Sequence, residues 1–316
     1  MTVNSLANRL TGYEEQEARS VVRLLLSDLF GFTLTDICCG ALDGMTAEQK
    51  ASLEAAMERL EKGEPVQYVT GKAEFRGREY RVGEGVLIPR PETEELLDLL
   101  SGKITQEGQS PLCKNALDIG TGSGCIAISM ALEHPDWDVT AWDISEKALN
   151  IAKENAERLG AKVRFEKRDI LKFTQGGLSP MCKNKDKITQ EGQSPMCKKW
   201  DVIVSNPPYI CNKERVDMER QVLDFEPHEA LFVPDDDPLL FYRAIAKYAA
   251  EMLNEGGLLA FEINPLYANE LISLLNSLTP SLSNSNTPSL FHSVTLHQDQ
   301  FGKERFVLAR KKSLVP

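Results

Sequence analysis

Ala116-Leu117-Asp118-Ile119 runs directly into Gly120-Thr121-Gly122-Ser123-Gly124, and that into Cys125-Ile126-Ala127-Ile128-Ser129-Met130-Ala131-Leu132. The first piece reads as a buried strand, the second as a glycine turn and the third as a small-residue, apolar helix. Strand, glycine turn and helix form the opening unit of a doubly wound α/β sheet, in which ligands sit beyond the carboxyl ends of the strands. The glycines permit positive φ and let a ligand approach the backbone closely. A turn of this kind also suits NAD, FAD or mere tight packing. Two details narrow the choice. The spacing is G-x-G-x-G, whereas dinucleotide folds use G-x-G-x-x-G. Asp118 also stands two residues before the first glycine, where a pyrophosphate would meet a carboxylate. A cationic ligand part, such as the sulfonium-bearing methionine moiety of S-adenosylmethionine, suits that acid better.

Working outward, Asp138 to Trp142 reads as the next strand. It ends at Asp143, where an acid would accept hydrogen bonds from a ribose diol. A third strand, Lys162 to Lys167, ends near Asp169, which with Ile170 is placed to meet an adenine and its amino group. The fourth, Trp200 to Ser205, delivers Asn206-Pro207-Pro208-Tyr209 to one point at the sheet's edge. A residue before proline is pushed to extended geometry, so Asn206 is held there with an amide oxygen to offer. The two prolines lock φ and have no N–H, leaving carbonyls that only accept. Tyr209 adds a flat aromatic face. The four residues make a slot for a planar group bearing an NH2. With the acids at successive strand ends, the reading is a methyltransferase that uses S-adenosylmethionine. Its cofactor residues would be Asp118, Gly120, Thr121, Gly122, Ser123, Gly124, Asp143, Asp169, Ile170 and Asn206.

Asp118 to Gly124 together with Asn206 to Tyr209 resembles the amino-group methyltransferases, which act on adenine in DNA or on glutamine in protein. Pro65 to Gly71, Ala73 to Gly77, Leu87 to Glu94, Phe225 to Leu231 and Gly302 to Arg305 resemble the HemK/PrmC type of protein-(glutamine-N5) methyltransferase. The resemblance spans residues 10 to 310 with interruptions. It implies a Rossmann-like sheet ending in an antiparallel strand pair, a small N-terminal helical domain, and methylation of the Gly-Gly-Gln glutamine of class I peptide chain release factors. On this reading Asn206 and the Pro207 carbonyl orient the amide nitrogen, and Tyr209 stacks on its plane. Asn206, Pro207, Pro208, Tyr209, Arg90 and Glu92 would meet the substrate, with Glu92 and Glu94 open between helix cap and substrate-facing acid. Positioning of this kind is worth ~7–11 kcal/mol. Asn264 stands where the family often has glycine. The alternatives are a DNA adenine-N6 methyltransferase, a methyltransferase of another protein or small molecule, and a binding module with a relict pocket.

Composition agrees with this reading. The 316 residues carry a formal net charge of −11, against a surface that binds duplex by neutralising phosphates. No apolar stretch approaches a bilayer span, and the polar start shows no signal peptide. The seven cysteines contain no C-x-x-C pair, which reads as reduced thiols in a cytoplasm. The four scattered histidines suggest no metal site. The chain is expected to act as a monomer, without direct DNA or membrane contact.

Residues 1–72 read as a helical substrate-docking domain, 73–88 as a β-hairpin linker and 89–316 as the methyltransferase domain. Tyr13 to Phe30 has amphipathic spacing, and Thr46 with Gln49 forms a capping-box pattern opening a helix to Lys62. Asp237-Pro238 reads as the cap of a helix reaching Asn254, closed by Gly256-Gly257. Leu258 to Ile263 is then a fifth strand, and His292 to Gln298 with Arg305 to Arg310 the terminal pair. One departure is a repeat. Lys103 to Lys114 recurs almost verbatim as Lys187 to Lys198, a fragment stands at Ser179 to Asn184, and Thr-Pro-Ser-Leu occurs twice within 279–290. Falling near 103–114, 174–199 and 279–290, between elements, these read as inserted, exposed loops with no catalytic part.

Overall fold

The computed structural model describes residues 1–106, 115–175, 199–278 and 289–313. Most of the repeated segments therefore lie outside the described residues. The strands are β1 (Lys72–Phe75), β2 (Arg78–Arg81), β3 (Asn115–Ile119), β4 (Asp138–Asp143), β5 (Val163–Lys167), β6 (Trp200–Ser205), β7 (Ile210–Cys211), β8 (Phe232–Val233), β9 (Leu253–Glu262), β10 (Phe291–Gln298) and β11 (Glu304–Lys311). Seven of them form one sheet in the order β10-β11-β9-β6-β3-β4-β5. From β9 to β5 neighbours are parallel, while β11 runs antiparallel to β9 and β10. The chain moves from β3 outward through β4 to β5, then crosses to β6 on the other side of β3. That reversal opens a crevice at the carboxyl ends of β3 and β6, where such sheets bind ligands.

Alternation along the inner strands sorts the core into two layers. Leu117 and Ile119 of β3, Ile203 of β6 and Leu259 of β9 join a cluster with Tyr242, Ile245 and Leu271. Ala116, Val202, Val204 and Ala260 point the other way, toward Leu96, Leu97 and the helix Cys125–Glu133. Strands buried on both faces explain the unbroken apolar runs in the sequence.

Helices over residues 3–70 close on a core of their own, built around Val22, Leu25, Leu26, Leu53, Met57 and Leu60. The capping box is present: the Thr46 hydroxyl accepts from the Gln49 amide at 3.2 Å, and Gln49 Oε1 accepts from the Thr46 amide at 2.9 Å. Thr46→Ala should therefore cost about 1 kcal/mol of stability, read as a lower denaturant midpoint with an unchanged slope. Next comes the β1–β2 hairpin, whose turn residues Arg76 and Gly77 have φ of 50° and 66°, the positive pair that a two-residue hairpin turn requires.

Two boundaries differ from expectation. The helix expected to open at Asp237-Pro238 spans Leu240–Met252, and Leu239, not Asp237, precedes its first turn. Asp237 instead pairs through its carboxylate with Arg243 at 2.8 and 3.0 Å. Gly256 and Gly257 lie inside β9 and do not cap the helix. Leu253 already pairs with Trp200, and the register shifts before Val202 meets Leu258. A Cβ at Gly257 would stand 2.9 Å from the Asn254 carbonyl oxygen, so the glycines serve an irregularity in a strand, a role they share with helix ends.

Candidate active site

A cavity of about 260 Å³ lies beyond the carboxyl ends of the central strands. Gly120, Gly122, Asp143, Asp169 and Ile170 line it, and so do Asn206, Pro207 and Pro208. The sequence-predicted glycine turn, two strand-end acids and most of the Asn-Pro-Pro-Tyr motif therefore line one cavity. Val86, Leu87, Ile144, Phe241 and Ile245 supply its apolar surface. Sequence reasoning did not assign these residues to the site, because an apolar side chain carries no chemical signal of a ligand.

The turn is held from behind. The amides of Gly120 and Thr121 both donate to the Trp142 carbonyl, at 2.9 and 3.0 Å. Gly122 has φ +55°, with nothing within 4 Å of where a Cβ would stand. The backbone is thus open to a ligand at that point. Gly124 answers a different demand: at φ +85° its Cβ would come within 2.9 Å of Ile128 and 3.1 Å of Ala152. Gly124→Ala should destabilise the fold by more than 1 kcal/mol, measured by thermal unfolding, because both strain and crowding act there. Thr121 and Ser123 are buried within the turn, away from the cavity wall. The Ser123 carbonyl accepts from Asn155, whose amide also takes the Arg81 N–H and donates to the Arg81 carbonyl. A single buried asparagine thereby ties the hairpin to the turn.

Asp143 reaches the cavity with both oxygens oriented. Oδ2 accepts from the Gly122 amide at 2.9 Å and Oδ1 from the Ser145 amide at 2.8 Å. Burial pushes its carboxyl up from the usual range, and the two amides pull the other way. Each oxygen keeps a lone pair, so the group can accept from a vicinal diol. Asp169 accepts from the Leu171 amide at 3.0 Å and lies beside Lys172. An open backbone at Gly122, two acceptor acids and apolar walls fit S-adenosylmethionine: polar groups for its ribose and amino functions, hydrocarbon for its base.

Asp118, expected among the cofactor residues, does not line the cavity. It is fully buried. Alternation is the reason: Ile119 takes the cavity face, which turns Asp118 with Ala116 toward the helix beginning at Cys125. There its Oδ2 accepts from the Thr121 hydroxyl at 2.6 Å, while Oδ1 has no well-aligned partner. Burial pushes its carboxyl up to about 7, against the pull of Thr121 and the Ala127 amide. Between an unfolded value near 3.8 and that folded value, the native state holds a proton the unfolded chain has lost. Stability therefore falls as pH rises through this window and levels off above it. Asp118→Asn has no such titration. Its stability relative to wild type should rise between pH 4 and 7, by denaturant unfolding at both ends of the range.

The Asn-Pro-Pro-Tyr segment is anchored from three directions. Ser205 donates to the Ile119 carbonyl at 2.6 Å, locking β6 to β3 at the mouth. Asn206 Nδ2 donates to Thr93 Oγ1 at 3.3 Å. The Tyr209 hydroxyl donates to Glu262 Oε1 at 3.1 Å, and Thr93 Oγ1 donates to Glu262 Oε2 at 2.6 Å. Burial pushes the Glu262 carboxyl up; Thr93, Tyr209 and Arg305 oppose it. Tyr209 is absent from the cofactor cavity's wall and lines a neighbouring hollow with Glu214, Asn264 and Arg305. Asn264 holds that side: its Nδ2 donates to the Tyr209 carbonyl at 3.1 Å and to Glu214.

Arg90 and Glu92 also stand off the cavity wall. Arg90 pairs with Glu226, whose other oxygen accepts from the Ile88 amide at 3.1 Å. Glu94 accepts from the Arg76 amide at 2.9 Å and so secures the hairpin turn. Glu92 sits half-buried in the first turn of the helix Pro91–Gln106. Thr93 and Glu262, which sequence reading did not single out, are the residues that tie Asn206 and Tyr209 together. Thr93 stands between two acids, and Glu262 reads as one more residue of a buried strand.

Comparison with known proteins bears on this site. Residues 2–71 match the family described as PrmC N-terminal domain, and residues 113–255 match one described as Methyltransferase domain. A release factor glutamine methyltransferase of Bacteroides thetaiotaomicron is 41% identical over 313 residues, covering 96% of this chain and 100% of that one. Proteins of the same name from Flavobacterium psychrophilum and Streptococcus pneumoniae are 35% and 36% identical, each over 93% of this chain and 92% and 91% of their own.

Proposed function

The chain belongs to the release factor glutamine methyltransferases, and from that premise we infer that it moves a methyl group from S-adenosylmethionine to the side-chain amide nitrogen of a release factor glutamine. The observation that carries the reading is the meeting of Asn206, Pro207 and Pro208 with Gly122, Asp143 and Asp169 around one cavity. The bound cofactor supplies an electrophilic methyl on a sulfonium. Gly120, Gly122, Asp143, Asp169 and Ile170 would hold it.

An amide nitrogen is a poor nucleophile, because its lone pair is delocalised into the carbonyl. The chain's task is therefore orientation. Asn206 Oδ1 and the Pro207 carbonyl would accept the two N–H bonds, turning the nitrogen's remaining density toward the methyl. The stiffness of Pro207 and Pro208 keeps those acceptors in place. Tyr209, tied through its hydroxyl to Glu262, sets the far side of the motif. The proton leaves after transfer, to water.

The glutamine is that of the Gly-Gly-Gln motif of class I factors, and residues 1–72 dock the factor. A DNA acceptor is not favoured: a net charge of −11 works against phosphate binding. Methyl transfer from labelled S-adenosylmethionine to a purified release factor, its Gly-Gly-Ala variant and a DNA duplex tests the reading. Label is expected on the intact factor alone. Label on the duplex, or on the Gly-Gly-Ala variant, would overturn it.

A further inference from the structure

We propose that Glu262 is a positioning residue that fixes which way round the Asn206 amide points, so that its oxygen, not its NH2, faces the incoming glutamine. The inference rests on the substrate reading above and deepens it.

A carboxylate only accepts, and a hydroxyl has a single hydrogen to give. Glu262 takes the Tyr209 hydrogen on Oε1 and the Thr93 hydrogen on Oε2. With its hydrogen committed, Thr93 Oγ1 offers only lone pairs to its other neighbour. That neighbour is Asn206, whose Nδ2 lies 3.3 Å away. An amide placed there must present NH2 to Thr93, which leaves Oδ1 for the cavity. Asn206 lines the cavity, and among the described residues its side chain's hydrogen bond is the one to Thr93. Thr93 and Glu262 are each 2% exposed, so water does not stand in for either.

The topology supplies the three parts separately. Glu262 ends β9, Thr93 lies in the first turn of the helix Pro91–Gln106, and Asn206 follows β6. The carboxylate thus acts at one remove: it gives the threonine a direction, and the threonine gives the asparagine one. A site so polarised accepts a donor, the glutamine NH2, and turns away a group that can only accept. A glutamate in the same place is such a group, since its ionised carboxylate has no hydrogen to give.

The test uses the full-length enzyme loaded with S-adenosylhomocysteine, titrated with a release factor carrying Gly-Gly-Gln or Gly-Gly-Glu. Wild type should prefer the glutamine form, and the Thr93→Ser enzyme should keep that ratio. In Glu262→Gln and Thr93→Val the ratio should fall about tenfold, with S-adenosylhomocysteine affinity unchanged. Thr93→Val leaves every charge in place, so its ratio separates polarity from the loss of a buried negative charge. If Glu262→Gln does not melt cooperatively, the Thr93→Val and Thr93→Ser pair decides. A wild-type ratio in Thr93→Val would overturn the proposal, whatever happened to activity. A wild-type enzyme that methylated no glutamine would overturn the substrate reading itself, a result distinct from the first.

Discussion

Asn206→Ala is expected to lower kcat by about 10²–10³-fold while S-adenosylmethionine binds nearly as before. The magnitude is that of deleting one preorganised hydrogen-bonding group from a reacting centre. Asn206 lines the cavity beside Pro207 and Pro208, but the acids suited to the cofactor, Asp143 and Asp169, lie on other strand ends. The lesion should also stay local. Thr93 and Tyr209 still donate to Glu262 without it, so the buried network survives truncation. Cofactor titration and single-turnover methyl transfer, run on the same preparation, separate the two effects. A loss of cofactor affinity as large as the loss of rate would move Asn206 from the substrate side of the reaction to the cofactor side. A loss confined to KM would mean it binds glutamine without orienting it.

The sheet was legible in the sequence because its signals are local. A strand buried on both faces must be apolar throughout, a turn at positive φ selects glycine, and a strand end that meets a ligand shows an acid or Asn-Pro. Gly122, Asp143 and Asn206 announce themselves in that way, and the structure brings all three to one cavity. Asp118 stands off the cavity wall because its charge marks it for a ligand while its parity along the strand turns it inward. Ile119 faces the cavity, so its neighbour cannot, and the alternation that gives the strand its core also removes the acid from the site. Gly256 and Gly257 were misread because glycine marks both helix ends and strand irregularities. Only the pairing of Leu253 with Trp200 tells the two apart. The chain Asn206–Thr93–Glu262 was not legible at all. Its members are 113 and 169 residues apart along the sequence, and no local pattern links a threonine in one helix to a carboxylate at the end of a distant strand.

Arg90 shows how the same gap changes a functional expectation. Sequence resemblance made it a substrate contact, but its guanidinium pairs with Glu226, whose side chain is 1% exposed. Arg90→Ala should therefore cost stability before it costs anything else. Removing one partner from a buried pair leaves the other charge uncompensated, at about 3–5 kcal/mol. Arg90 is itself partly exposed, which places the expectation at about 3 kcal/mol. Among the described residues Glu226 keeps only the Ile88 amide, and Ile88 belongs with Tyr68 and Val86 to the small core where the hairpin meets the rest of the chain. The loosening should thus reach Val86 and Leu87 on the cavity wall, raising the dissociation constant for S-adenosylmethionine as a secondary effect. Denaturant unfolding with and without the cofactor checks this. A structural role predicts a lower midpoint in both conditions, partly recovered by saturating cofactor, because a ligand that binds only the native state stabilises it. An Arg90→Ala enzyme of wild-type stability, with a raised KM for the release factor alone, would return this residue to the substrate surface and leave Glu226 to be neutralised by some other group.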